Sequence, residues 1–417
     1  MDRKQPRGGT VLAILLLAYV FNFVDRNVIG VLAVPIRKEF GLSDTALSQL
    51  GVVFGIFYAV IAIPIARLAD TKSRVNIIAG AVALWSLFTA ACGLVGSYGQ
   101  LVAARMGVAI GEAGGIAPSY ALISDYYPKE KRGRALAFFS LGIPLGSALG
   151  VFFGGWLASH LSWRSAFLII GLVGLPPALA IRLLVAEPPR GRYDGTGEVV
   201  APPPLGTVMS ALAGNASFWL LSFGAASGSI LGYGLIFWLP SFFNRTFGLA
   251  LGDVGWFYGS IVLVGGGAGT WLGGWIADRV GPDRPAGYAL IPAICFLGTA
   301  PAFAAGLFAP NLWLAWGLFA VGQMLALAWL GPVISAVQHI VAPSMRATAS
   351  ASFLFINNLI GIAFGIYFLG WLSDRMKALH GVDSLQYSIL YGLAFYLLSS
   401  LLYFAAARRL ERDWYRG

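Results

Sequence analysis

Asp25 and Arg26 stand side by side in YVFNFVDRNVIGVL (residues 19–32), a run that is otherwise almost wholly apolar. A second such run, LVAARMGVAIGEAGGIAPSYALISDYYP (101–128), carries Arg105 and Glu112. If these runs lie in lipid, each charge costs at least ~2.5–3.5 kcal/mol on insertion scales, so charges kept there are expected to be paired and to have a purpose. Two carboxylates that share two guanidiniums titrate according to their hydration and pairing. A change of exposure can then load and unload a proton. The plainer alternative is a buried salt-bridge network that only fixes helix packing, which apolar residues often do equally well. On helix geometry, Arg105 precedes Glu112 by two turns, ~10 Å, on the same face. If the two helices are neighbours, Asp25 falls between them in depth, and an acid–base–acid cluster results.

The elements that position these residues are legible from composition. Of the 417 residues 58% are hydrophobic and 11% charged, against about 25% charged in a soluble protein, and mean hydropathy is +0.76. Runs of roughly 20 apolar residues cross a bilayer as helices. The chain is predicted to be an all-α polytopic membrane protein with twelve spans, near 11–35, 46–68, 75–97, 100–123, 134–158, 165–186, 215–242, 252–276, 286–307, 312–339, 347–372 and 386–407. VLAILLLAYVFNF is read as the first span rather than a cleaved leader. Residues 187–214, with their Pro, Gly and charges, are expected to form a flexible cytoplasmic linker between two six-helix bundles, 1–186 and 215–417.

Charge distribution orients the chain. Of the 28 Lys and Arg, only Arg37, Lys38, Arg164, Arg245, Arg375 and Lys377 fall on the side opposite the termini. Arg26 and Arg105 lie within spans. Both termini are therefore expected in the cytoplasm. The net charge of +10 is accounted for by this bias, so no nucleic-acid partner is invoked. Cys92 and Cys295 fall inside apolar runs and are expected to be small packing residues. No metal-ligand spacing, phosphate-cradling loop or nucleophile–base pair is present, and His339 stands alone. Catalytic residues, metals and cofactors other than protons are not expected.

The two halves echo one another. IPIARLAD and GGWIADR place Asp70 and Asp278 at matching helix ends, 208 positions apart, and GGWLASHLSW and LGWLSDRMK align Trp156 with Trp371. After these acids come Lys72, Arg74 and Arg279. A carboxylate at a helix end can pair with such bases or with helix N-termini, which makes these five residues a candidate cytoplasmic gate. Gly142, Gly146, Gly150 and Gly154 recur at four-residue spacing and are expected to form a packing seam, while Pro118 is expected to kink its helix. The C-terminal half has no intramembrane charges to match. Its polar and aromatic candidates for a substrate wall are Tyr233, Phe237, Trp238, Gln323, Asn357 and Asn358, joined by Phe21 and Asn22 from the first helix. A charged half opposite an aromatic, weakly polar half suits an amphiphile.

NFVDRNVIGVL, PIARLADTKSRV, ARMGVAIGEAGGIAPSYALISDYYP and RGRALAFFSLGIPLGSALG together resemble the bacterial members of the Spinster family of the major facilitator superfamily. The resemblance is specific through the N-terminal half. In the loop after the second span, Ala66, Thr71 and Ser73 depart from the superfamily signature. The resemblance implies the major facilitator fold, two six-helix bundles related by pseudo-two-fold symmetry with substrate bound near the midplane. It also implies export of lysophospholipid- or sphingolipid-like amphiphiles, with Asp25 and Glu112 as the protonatable pair and Arg26 and Arg105 as partners or head-group contacts. On this reading the chain is a monomer in the bacterial inner membrane, with membrane lipid and an amphiphilic substrate as its partners. A small organic anion clamped by Arg26 and Arg105, or an uncoupled lipid conduit, are the alternatives.

Overall fold

The computed structural model describes residues 8–190, 192–193, 204–280 and 284–415. Side chains of Asp70, Lys129, Glu130, Leu205, Asp278, Pro343 and Ala347 are outside the description. The helices divide into two compact units, Met1–Val199 with Leu249–Gly259, and Val200–Gly248 with Ser260–Gly417.

The first unit holds α1 (Gly8–Phe40), α2 (Asp44–Thr71), α3 (Arg74–Cys92), α4 (Tyr98–Glu112), α5 (Ile116–Tyr126), α6 (Lys129–Ser140), α7 (Gly142–His160), α8 (Trp163–Val173) and α9 (Leu175–Leu184). The second holds α10 (Leu205–Ala213) and α11 (Ala216–Phe247), then α13 (Gly267–Val280) and α14 (Gly287–Leu307). It continues with α15 (Leu312–Leu327), α16 (Leu330–His339), α17 (Arg346–His380), α18 (Ser384–Gly392) and α19 (Ala394–Asp413). Between α11 and α13 runs α12 (Leu251–Ile261), whose last turn joins α13 through a π-helical turn, Val262–Gly266.

Several spans are two helices end to end, and proline explains where they break. Proline has no N–H to give the carbonyl four residues earlier. Pro118 thus leaves Gly114 without its donor between α4 and α5, and Pro144 does the same to Ser140, where α6 ends. Pro177 stands four residues after Val173, the end of α8, and Pro332 four after Ala328, between α15 and α16. The kink expected at Pro118 is therefore present. The last apolar helical stretch, Thr348–Asp413, is 66 residues long, about 99 Å at 1.5 Å per residue, far more than one crossing of a bilayer. It reverses at Gly381, whose φ of 53° is open to glycine. Ser388 then donates back to the Leu369 carbonyl at 2.7 Å. Counting it as two spans makes twelve.

Packing repeats between the units. In the first, α1 lies along α7, and α3 packs on α4, α8 and α9. In the second, α11 lies along α17, and α14 packs on α15 and α19. The glycine ladder is the α1–α7 seam. A Cβ at Gly146 would sit 2.4 Å from the Val20 carbonyl oxygen and one at Gly150 would sit 2.6 Å from that of Val24. Of the stretch read as a linker, 187–214, residues 191 and 194–203 lie outside the described residues, and the parts on either side are built into the fold. The stretch contains α10, and Glu187 accepts from Ser73 Oγ and the Val75 N–H, because its carboxylate caps the exposed start of α3.

Candidate functional site

The four intramembrane charges meet in the first unit as two crossed pairs. Arg26 Nε donates to Glu112 Oε2 at 2.5 Å, with the Glu112 side chain wholly buried. Arg105 Nη1 donates to Asp25 Oδ2 at 3.3 Å, with side-chain exposures of 3% and 2%. The adjacent pair on α1 therefore sends its acid to one residue of α4 and its base to another.

Residues that the sequence reading did not single out complete the shell. Thr89 of α3 donates to Asp25 Oδ1 at 2.8 Å. Phe54 and Tyr58, one turn apart on α2, present their rings to the guanidiniums. Arg26 Cζ is 4.5 Å from the Tyr58 centroid, 5.4 Å from Phe54 and 5.3 Å from Phe23, and Arg105 Cζ is 5.1 Å from Phe54. Aromatic faces attract cations more strongly when water is excluded. Asn27 donates to Phe23 O and Ser147 Oγ, tying α1 to α7 beside the cluster. The i,i+4 spacing of Phe54 and Tyr58 is a signal, but aromatics are common in spans and it does not stand out.

The other candidates separate into groups. Asn22 is buried, with neither amide atom hydrogen-bonded among the described residues, and Phe21 beside it is half-buried. In the second unit Ser229 donates to Asn357 Oδ1 at 2.8 Å, while Asn357 Nδ2 and the Tyr233 hydroxyl both approach Asn358 Oδ1 at 3.4 Å. A polar strip thus runs along the α11–α17 seam. Gln323 of α15 is a separate polar position, beside Gly265 of the π-helical turn. Phe237 and Trp238 correct the sequence reading. They are 2% and 0% exposed, and the Trp238 indole donates to the Ile366 carbonyl at 2.9 Å. They are core of the second unit and not a substrate wall.

The candidate gate residues are likewise distinct in role. Arg74 is buried and holds Asp125, Glu187 at 2.7 Å and the carbonyls of Ala121 and Pro188. It clamps α3 to α5 and to the chain after α9, with four of its five N–H donors given to these partners. Lys72 is exposed and its carbonyl accepts from Arg190. Arg279 stacks on Trp275, 3.6 Å from the ring centroid. The Asp70 and Asp278 side chains lie outside the described residues.

Two helical units with the same packing pattern, the first of which holds an intramembrane charge cluster, are the architecture of a polytopic membrane transporter. Residues 15–366 match the model of the Major Facilitator Superfamily. An MFS-type efflux pump of Mycolicibacterium smegmatis is 34% identical over 99% of this chain and 96% of its own. Spinster homolog 1 of Mus musculus is 29% identical over 89% of this chain and 74% of its own. A crystal structure of a bacterial homolog of the human lysosomal transporter Spinster, inward-facing and unoccupied, superposes with a TM-score of 0.89 at 31% identity, covering both chains completely. A D-xylose–proton symporter, 18% identical over 97% of each chain with a TM-score of 0.69, shares the fold. The chain belongs to the Major Facilitator Superfamily, and within it to the Spinster family.

Proposed function

We propose that this transporter exports an amphiphilic, lipid-like or drug-like molecule in exchange for protons. The observation that carries the reading is the crossed pairing of Asp25 with Arg105 and of Arg26 with Glu112. Protonating either carboxyl removes one charge from a four-charge balance and releases its guanidinium. The pairing energy then depends on which side last supplied the proton. Proton uptake from outside and release to the cytoplasm would drive outward movement of the substrate about a midplane site. The polar strip of Tyr233, Asn357 and Asn358, with Gln323, supplies weak hydrogen-bonding groups suited to a polar head. The export direction is supported by the mycobacterial relative, an efflux pump. Placement in a bacterial inner membrane with both termini cytoplasmic follows from the loop charges. The small-anion alternative is disfavoured, since each arginine already faces a buried carboxylate.

The test is movement of a labelled lysophospholipid into proteoliposomes, with and without an imposed pH gradient, for the wild type and Asp25→Asn. Gradient-driven accumulation that the variant loses supports the proposal. Equal movement in both, blind to the gradient, would replace it with a passive lipid conduit. Absence of movement with this probe, but gradient-driven movement of a small organic anion, would overturn the substrate class.

A further inference from the structure

The helix that presents rings to both guanidiniums brings no charge of its own to them. The charged residues of α2 are Asp44, Arg67 and Asp70, all near its ends. At its middle Phe54 and Tyr58 stand one turn apart, with ring centroids 6.0 Å apart and planes 9° from parallel. Phe54 is 5% exposed, whereas Ile56 and Val60, on the opposite face of the helix, are 43% and 59% exposed. Arg26 Cζ lies 4.5 Å from the Tyr58 centroid, 5.4 Å from that of Phe54 and 5.3 Å from that of Phe23 on α1. Arg105 Cζ lies 5.1 Å from Phe54, its one ring contact among the described residues. All four distances fall within the roughly 6 Å over which a ring face attracts a cation. A leucine at position 58 would pack against α4 as well and attract no cation.

Proton coupling makes these rings more than packing. Glu112 is wholly buried, and Arg26 is 12% exposed with its Nε 2.5 Å from Glu112 Oε2. Once that carboxyl takes a proton, the guanidinium loses this counter-charge in a place that largely excludes water, and an uncompensated charge at such depth is among the costliest states in lipid. A ring face holds a cation through its quadrupole, which does not titrate. In the paired state the carboxylate already satisfies the cation, so the rings contribute most when the carboxyl is neutral. They therefore favour the protonated state over what an aliphatic wall allows. α4 packs on α2 and α3. The ionisable groups presented to the Arg26–Glu112 pair are Asp25 from α1, Arg105 from α4 and the Tyr58 phenol from α2. α3 adds the Thr89 hydroxyl, which is given to Asp25, and the buried Cys92 thiol three residues further on.

We infer that Tyr58, with Phe54 and Phe23, is the seat that holds the Arg26 guanidinium while Glu112 is protonated, and that Tyr58 thereby sets the pH at which Glu112 exchanges its proton. The inference rests on the proton-coupled reading above and adds the residues that tune it. When a proton binds the Glu112 carboxylate, an O–H bond forms, the ion pair opens, and Arg26 keeps its charge against the rings. When the proton leaves, the pair closes again. Tyr58 is a positioning residue, since it acts through Arg26 and its own hydroxyl proton takes no part in the exchange.

Infrared difference spectroscopy of the full chain in maltoside detergent, titrated with pH, reads this without a transported substrate. The carboxylic C=O band of Glu112 is the one lost in Glu112→Gln. In Tyr58→Leu its titration midpoint is expected to fall by about half to one pH unit, the roughly three- to tenfold weaker proton binding that loss of one desolvated cation–ring contact supports. Tyr58→Phe keeps the ring and is expected to keep the wild-type midpoint. An unmoved midpoint in Tyr58→Leu would overturn the seat while leaving proton binding intact. An equal fall in Tyr58→Phe would overturn it in favour of the hydroxyl. A wild type with no titrating band that Glu112→Gln removes would overturn proton binding at Glu112, and the seat with it. If Tyr58→Leu does not fold, Phe54→Leu removes a different ring from Arg26 and is read in the same way.

Discussion

Glu112 has no exposed surface, and its Oε2 takes a guanidinium at 2.5 Å, so the fate of that carboxylate depends on Arg26. Removing one partner of a buried pair typically costs ~3–5 kcal/mol, because the other charge is left uncompensated. Arg26→Ala is expected to lower the melting temperature in detergent markedly, and Glu112→Gln in the same chain to recover most of the loss. A single variant that melts with the wild type would show that the pair carries little energy. Trp238 makes a different prediction. Trp238→Phe removes the indole's extra bond to the Ile366 carbonyl, which keeps its own bond within α17, and should lower stability by about 1 kcal/mol while leaving the apparent affinity for substrate unchanged. Weakened substrate affinity at unchanged stability would return Trp238 to the substrate wall. At this scale the four charges could be read directly, since few residue types are so costly in lipid. Thr89, Phe54 and Tyr58 could not, because hydroxyls and rings are ordinary in spans.

Helix packing here is set by glycines and prolines, and their effects differ by neighbourhood. At Gly150 a Cβ would meet the Val24 backbone at 2.6 Å, whereas at Gly80, within α3, it would meet nothing within 4 Å. Gly150→Ala is expected to force α1 and α7 apart and cost roughly 1–3 kcal/mol. Gly80→Ala should be neutral or stabilising by ~0.5–1 kcal/mol, since alanine is the better helix former. Thermal melts of the two proteins check the contrast, and equal loss in both would refute the seam. The four-residue ladder was visible in the sequence as a candidate seam, but its partner was not. The α10 helix was missed because the Pro- and Gly-rich chain before it dominated the reading of 187–214.

For the whole molecule, the testable property is its orientation. With Cys92 and Cys295 replaced by serine, Lys38→Cys and Arg409→Cys place single thiols at exposed positions in segments that the charge bias assigns to opposite sides. An impermeant maleimide applied to intact cells is expected to label the first directly and the second only after permeabilisation. The reverse pattern would invert the topology. The two-bundle repeat was also legible at this scale, through the matching helix-end motifs, because each half must solve the same packing problem with the same short residues. The partners of Arg74 were not legible for a related reason. Its sequence neighbours, Lys72 and Asp70, suggested a loop role, but its partners Asp125 and Glu187 are 51 and 113 residues away.

Composition and hydropathy determined the number of spans, the charge bias of the loops, the internal repeat and the identity of the four buried charges. Each of these depends on a residue's own type or on its near neighbours. Only the tertiary structure decided which acid meets which base across separations of 80 and 86 residues. It also decided which faces of the helices are core. Trp238 is 0% exposed and Trp313 86%, though both sit in apolar runs. In a soluble helix a polar stripe marks the outward face, but in lipid the outward face is as apolar as the core, so the periodicity that separates inside from outside is erased.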